Sequence, residues 1–371
     1  MAKERFKELG TGSFFGDYLY ERTVPGKHFL RQLERIVDWD VFAPKLVQLY
    51  RGKAKRGRPP YNPVVILKIL VLSYLYGLSE RQVEQYVNDS LSAKWFLGMA
   101  VDEAAPDHST LTKFKQRIER RGKEALLEEL LRDVVAMAMR KGVEFGSIQL
   151  VDSTHTLADV NVAKDDRRHD QGHPRRDSGA RWGAKGKRRK TAGGEEDGET
   201  VPRYFYGYKM HTAMNATSEM ITSVVVTGGN AHDGKQFPAL VERDRQQDLP
   251  VDTYAADRGY DDGENHYLLE TLGLHSAIIL NRYRTEKKDK NKQVWIDLKR
   301  TPQYQAGKKE RYRIERKLGE AKQNHGLRYC RYIGRLRYAL QAYLTAIALN
   351  LKRMVRLLTG TSFKGRARAM A

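Results

Sequence analysis

Ser147-Ile148-Gln149-Leu150-Val151-Asp152 and Val251-Asp252-Thr253-Tyr254-Ala255-Ala256-Asp257 are two short apolar runs, each ending on an acid. Their β-branched and aromatic content reads as strand, and polar turn residues follow both acids. Between them, Tyr204 to Asn215 and Glu219 to Thr227 make an antiparallel hairpin about the turn Ala216-Thr217-Ser218. Asp233 to Gln246 is expected to be helical with Asp233 as its N-cap, Gly263 to Leu272 is a further helix, and Ala277 to Leu280 a further strand. This mixture predicts an α/β sheet flanked by helices. Catalytic groups in open sheets gather beyond the carboxyl ends of strands. Two carboxylates brought together there repel each other unless a cation lies between them, which suits a divalent metal with oxygen ligands. Asp152 and Asp257 are 105 residues apart, so no local motif joins them, and an Asp ending a strand serves equally as a turn former.

A third acid comes from a basic C-terminal segment. Arg311, Glu315 and Lys322 are spaced by four and seven residues, which places them within about 60° on one helix face. A Glu between two cations can reach a metal while its neighbours hold phosphates. The same spacing also describes a salt-bridge ladder on an exposed helix. Glu310 and Glu320 lie off the shared face, while Asp261, Asp262 and Glu264 crowd the turn after Asp257. His155, His211 and His232 are read as hydrogen-bonding residues near the site, because hard oxygen ligands suffice for magnesium.

The front of the chain is helical. Asn62 is a plausible N-cap, Pro63 suits the first helical position, a nearly continuous apolar run follows, and Gly77 stops it. Ser79 and Gln82 are spaced as a capping box that restarts helix at once. Helix, tight turn and helix from Pro63 to Asn88 fit a helix-turn-helix. Further helices are expected at Leu91 to Met99, Thr110 to Arg121 and Glu124 to Lys141. The cations Lys113 and Arg117 on the second of these could lie along a phosphate backbone or form a solvated face.

Composition narrows the function classes. The chain has 371 residues, 67 Lys+Arg against 46 Asp+Glu, and a net charge of +21, so a polyanionic partner is favoured. Lys164 to Lys190 carries eleven Lys/Arg and four Asp in a Gly-rich stretch that reads as a flexible basic loop. Lys299 to Arg337 carries thirteen Lys/Arg and three Glu. The single cysteine, Cys330, excludes an internal disulfide and any multi-cysteine zinc site. The polar start and the lack of a ~20-residue apolar run lead to the expectation of a soluble intracellular protein.

From about Pro59 to Arg353 the chain resembles the DDE transposases of bacterial insertion sequences. The resemblance rests on the phrases GRPPYNPVVILKILVLSYLYGLSERQVE, PDHSTLTKFKQRI, VDSTHT, YFYGYKMH, GGNAHDGKQF, AADRGYDD and RIERKLGEAK. The family's C-terminal signature is Tyr, two residues, Arg, three residues, Glu, six residues, Lys. Arg311, Glu315 and Lys322 match it in register, and Lys308 stands where the family has Tyr. The resemblance implies a ribonuclease-H-like mixed sheet preceded by an all-α, helix-turn-helix-type DNA-binding region. It implies that Asp152, Asp257 and Glu315 are catalytic and bind two divalent ions, Mg²⁺ or Mn²⁺. Arg311, Lys322, Lys308, Arg56, Arg58, Arg81, Lys113, Arg117 and Lys209 are the expected DNA contacts. The expected division is 1–58 as arm and helices, 59–142 as helical DNA-binding domain, 143–337 as catalytic domain with a basic loop at 164–200, and 338–371 as C-terminal helix and basic tail. The implied activity is cleavage of insertion-sequence ends and joining of their 3′-hydroxyls to target DNA, with no covalent enzyme intermediate. A homodimer in the DNA complex is expected, in a prokaryotic, nucleoid-associated setting. The alternatives are a decayed transposase acting as a DNA-binding repressor, and a related metal-dependent nuclease that cuts without joining.

Overall fold

The computed structural model describes residues 6–10, 14–50, 59–120, 124–190, 196–281 and 292–363. The chain divides into two compact units, one of residues 1–144, 320–326 and 343–371, the other of residues 145–319 and 327–342.

The first unit is helical: α1 (Phe14–Thr23), α2 (Phe29–Ile36), α3 (Ala43–Val47), α4 (Pro63–Leu75), α5 (Glu80–Asp89), α6 (Leu91–Leu97), α7 (His108–Arg120) and α8 (Glu124–Arg140). Asn62 Oδ1 accepts from the Val64 amide at 2.9 Å, Pro63 opens α4, and all but one residue of that helix are buried. Gly77 ends it at φ +64, where a Cβ would meet the Asn324 carbonyl oxygen at 2.9 Å. The Ser79–Gln82 capping box then starts α5, which is bent 103° from α4. That angle lies within the ~90–120° range of helix-turn-helix pairs. Among the described residues no single helix is long and apolar enough to cross a membrane.

The second unit is built on β1 (Ile148–Leu157), α9 (Val162–Asp170), β2 (Arg181–Lys190), β3 (Glu196–Asn215), β4 (Ile221–Gly228), α10 (Phe237–Arg245), β5 (Thr253–Ala256), α11 (Gly263–Thr271), β6 (His275–Ile278), α12 (Lys292–Arg300) and α13 (Pro302–Glu310). Two helices run on into the first unit: α14 (Tyr312–Asn324) and α15 (Arg335–Thr359). β4 pairs antiparallel with β3, β3 antiparallel with β1, β1 parallel with β5, and β5 parallel with β6. This is the ribonuclease-H-like mixed sheet, with β2 added along the N-terminal half of β3.

Strand parity decides which residues face which helices. Val151, Tyr254 and Ala256 pack with Phe237, Leu240, Val241 and Leu269 of α10 and α11 in one core. The alternate residues face the other way, where a Cβ on Gly307 of α13 would lie 2.5 Å from Ala277 Cβ and 3.0 Å from Ala255 Cβ. Only glycine lets that helix sit so close to the sheet.

Three expectations need correction. Among its described residues the basic stretch 164–200 is not a loop: it holds α9, β2 and the start of β3. Its polar composition reports exposure, since paired backbones need no apolar face of their own. Its acids do structural work. Buried Asp177 accepts from the Tyr208 hydroxyl at 2.6 Å and the Gly179 and Ala180 amides, and buried Asp165 accepts from the Arg176 amide at 2.9 Å. Second, β1 does not end at Asp152 but continues to Leu157, because pairing with β3 outlasts pairing with β5. Third, Asp233 sits at the N-cap position of a short 3₁₀ turn, Gly234–Gln236, ahead of α10 and makes no capping bond with its side chain.

A buried polar network lies beneath α10. Asp244 is 1% exposed and accepts from Gln149 Nε2 at 2.8 Å and the Tyr254 hydroxyl at 3.4 Å. Burial raises its carboxyl from 3.8 to about 7, only partly offset by these bonds. A carboxyl raised on folding stabilises fully below its unfolded value, and the contribution is lost as pH rises through the folded value. The affected window therefore runs from 3.8 to about 7. Asp244→Asn removes this titration. From pH 5 to pH 8 the variant should gain about 2–3 kcal/mol on the parent in denaturant unfolding. A pH-independent difference would contradict the assignment.

Candidate active site

Parallel pairing of β1 and β5 aligns Val151 with Ala256, so the next residues along that register are Asp152 and Asp257. By parity both lie on the sheet face that carries α13, opposite the α10–α11 core. α14 follows α13 directly and brings Glu315 on its first turn. Burial, then the charge of Asp257, raises the Asp152 carboxyl to about 7; Glu315 pushes the same way and Arg311 opposes them. Asp257, Glu315 and Arg311 are therefore all close enough for their charges to act on Asp152.

Each acid is held differently. Asp152 Oδ1 accepts from the Ser153 amide at 2.7 Å, and Asp257 Oδ1 from the Gly259 amide at 2.8 Å. Glu315 Oε1 accepts from Arg311 Nη2 at 2.8 Å, with 58% of its side chain exposed. Two are thus fixed by backbone and one stands on a helix surface, paired with Arg311.

Three neighbours escaped sequence reasoning. Tyr260 is fully buried, and after burial itself the charges of Asp152, Asp233 and Asp257 hold its hydroxyl protonated. Asp233 accepts from Lys209 Nζ at 2.9 Å and lies 3.7 Å from His211 Nδ1. His211 is buried, contacts Thr227 Oγ1 at 2.8 Å, and is lowered to about 4 by burial, so it is neutral at pH 7. Glu219, in the β3–β4 turn, binds cations of α14. Tyr260 and Asp233 lie inside the phrases AADRGYDD and GGNAHDGKQF, which was the available signal; Glu219 had none.

The rival acids are engaged elsewhere. Asp261 pairs with His266 at 3.0 Å, Asp262 caps α11, Glu264 pairs with Lys235 at 2.7 Å, Glu310 with Arg313, and Glu320 with Lys352 at 2.6 Å. Among the described residues the one group of metal-type donors already within 4.8 Å of one another is Glu84, Asp107 and His108. It serves the start of α7: Glu84 Oε2 accepts from the His108 amide at 2.9 Å and Asp107 Oδ1 from the Ser109 amide at 2.7 Å.

The expected DNA contacts are scattered. Lys308 is exposed on α13, while Arg81 and Lys113 are exposed in the helical unit. Arg117 lies over the Tyr50 ring at 4.4 Å, and Lys209 is held by Asp233 and the Ala231 carbonyl. Lys322 is in the last turn of α14. Arg56 and Arg58 lie outside the described residues. His155 packs against Phe205 with ring centroids 4.6 Å apart and planes tilted by 31°, and His232 lines a cavity of about 310 Å³ with Trp182, Lys209, Asp233 and Gly259. Cys330 is buried, which pushes its thiol up to about 12.

Asp152 and Asp257 thus stand at the end of the parallel β1–β5 ladder of this mixed sheet, with Glu315 on α14 of the same unit. The family described as Transposase DDE domain matches residues 145–351, and the one described as Transposase domain (DUF772) matches residues 19–117. The first match covers more than half of the 371 residues, and the chain belongs to the Transposase DDE domain family. A solved structure described as the Mos1 mariner paired end complex with Mn is similar at 10% identity, over 81% of this chain and 98% of that chain, with a TM-score of 0.19. That likeness is too slight to bear on the site.

Proposed function

We propose that this protein is an insertion-sequence transposase that binds the element's ends, cleaves them and joins the freed 3′-hydroxyls to target DNA. The observation that carries this reading is the convergence on Asp152 of Asp257, at the end of the neighbouring parallel strand, and of Glu315 and Arg311, all near enough for their charges to act on its carboxyl. These donors fit hard divalent cations: all three are carboxylates, and the like charges of Asp257 and Glu315 oppose ionisation of Asp152, which the Ser153 amide bond and Arg311 only partly relieve. Asp152, Asp257 and Glu315 would hold two ions, Mg²⁺ or Mn²⁺. Such ions, when bound, stabilise both the attacking and the leaving oxygen of an in-line phosphodiester displacement.

The chain's own groups do the rest. The backbone bonds to Asp152 and Asp257 aim those carboxylates, and the nearby Tyr260 hydroxyl, kept protonated, adds no further negative charge. Arg311 balances Glu315 and is placed to meet a phosphate. Water displaces the 3′-oxygen at the element end and leaves a 3′-hydroxyl. That hydroxyl then attacks a target phosphodiester, so each bond broken is matched by one formed and no protein–DNA bond arises. Two DNA ends call for a homodimer in the complex, acting on chromosomal DNA in a prokaryotic nucleoid. Within the helical unit the sequence of α5 carries Arg81 against Glu80, Glu84 and Asp89. The exposed cations of α7, rather than α5 alone, are the natural phosphate contacts there.

The test incubates the protein with DNA carrying the element's terminal repeats, a target plasmid and Mg²⁺. Cleaved ends and joined products are expected. Cleavage without joining would reduce the activity to a nuclease, and binding without cleavage to a repressor.

A further inference from the structure

Glu219 is an unusual residue for its place. It stands in the β3–β4 turn at φ +54, a left-handed conformation that is strained for a residue with a side chain and suits glycine. It is buried, yet it carries a carboxylate. Arg316 Nη2 donates to its Oε1 at 2.7 Å, Arg313 Nη1 donates to the same oxygen at 3.3 Å, and Lys317 Nζ lies 4.0 Å from Oε2. All three cations belong to α14, and they flank Glu315 at positions −2, +1 and +2. Ile314 and Leu318 anchor the same helix through its apolar side. Apolar contacts of this kind resist separation but permit a helix to roll. A buried carboxylate bound to cations on one side of the helix fixes the roll.

The turn is also tied to the strand of Asp152. β3 pairs Thr212 with Asp152, and Glu219 follows Asn215, where β3 ends. The Glu219 amide donates to the Asn215 carbonyl at 2.9 Å, which ties the turn back to that strand end. One hairpin therefore connects the strand of Asp152 to the helix of Glu315.

We propose that Glu219 is a positioning residue that sets the rotation of α14 and thereby holds Glu315 in place to share a divalent cation with Asp152 and Asp257. This rests on the reading of those three acids as metal ligands. Partners behind a metal ligand typically change affinity about 10–100-fold when removed.

The experiment measures Mn²⁺ binding to the full-length protein by electron paramagnetic resonance of free Mn²⁺, without DNA. Glu219→Gln keeps the size of the side chain and removes its charge. Glu219→Gly removes the carboxylate but suits the left-handed turn better than the parent residue. Both should weaken Mn²⁺ binding about 10-fold or more while the Gly variant keeps or raises the melting temperature. A role confined to shaping the turn predicts unchanged Mn²⁺ binding by Glu219→Gly, and affinities within two-fold of the parent for both variants would overturn the proposal. Glu315→Gln separates the two claims. If it weakens Mn²⁺ binding while the Glu219 variants do not, only the positioning role fails. If the parent itself binds no Mn²⁺, the metal-site reading fails and the positioning role with it.

Discussion

Asp152→Ala, Asp257→Ala and Glu315→Gln should each lower end cleavage by at least about 10³-fold, while affinity for the same DNA stays within a few-fold of the parent. The magnitude follows from the several kcal/mol of charge stabilisation that a metal-assisted displacement supplies, at 1.36 kcal/mol per decade of rate. The selectivity follows from where charge resides. The three acids repel DNA, so removing one cannot weaken phosphate binding directly. Asp152→Ala also lifts the repulsion that Asp257 imposes within the pair, so this variant should fold at least as well as the parent. A measurement of cleavage and of gel-shift affinity on the same duplex reads both halves. Parent-like cleavage by Glu315→Gln would remove that residue from the site, leaving Glu310 and Glu320 as the acids to examine.

The second large effect is ionic. The net charge of +21 is concentrated in two windows, one beginning at α9 and continuing into the β2–β3 hairpin, the other surrounding Glu315. If about 6–10 phosphates are neutralised, DNA affinity should fall about 10³–10⁵-fold between 50 and 200 mM salt. Because α9 and β2 are regular elements, exposed cations such as Arg181 and Lys185 are presented on a fixed surface. Arg181 and Lys185 on β2 are the described cations to test. Replacing both with Ala should reduce the slope of log affinity against log salt by about two. A slope unchanged by that pair would place the hairpin away from DNA.

The sequence made some of this legible and concealed the rest for identifiable reasons. Local chemistry could be read directly. Asn62, Pro63 and the Ser79–Gln82 box mark helix starts by bonds made within four residues, and they formed as expected. The apolar run before Asp257 reads as strand because β5 is buried throughout. What stayed hidden depends on partners distant in sequence. That Asp152 lies within β1 follows from β3, which pairs with it through Leu157. Neither Asp152 nor Asp257 announces that the other adjoins it; the β1–β5 register does. The stretch 164–200 is read as a loop because it has few apolar residues, yet it carries α9 and β2, and buried Asp177 with the hydroxyl of Tyr208 anchors the start of β2. Asp233 looks like a cap by position, but Lys209 and His211 claim its carboxylate. Glu219 carries no motif at all, and only the packing of α14 on the hairpin turn reveals what it holds.

The most direct test of the metal-binding acids is the anomalous diffraction of Mn²⁺ in crystals of the protein bound to a cleaved element end. The account predicts two Mn²⁺ peaks about 3.5–4 Å apart, held by Asp152, Asp257 and Glu315 and touching the terminal phosphate or 3′-hydroxyl. Mn²⁺ found only away from these three carboxylates, at Glu84, Asp107 and His108 for example, would contradict it.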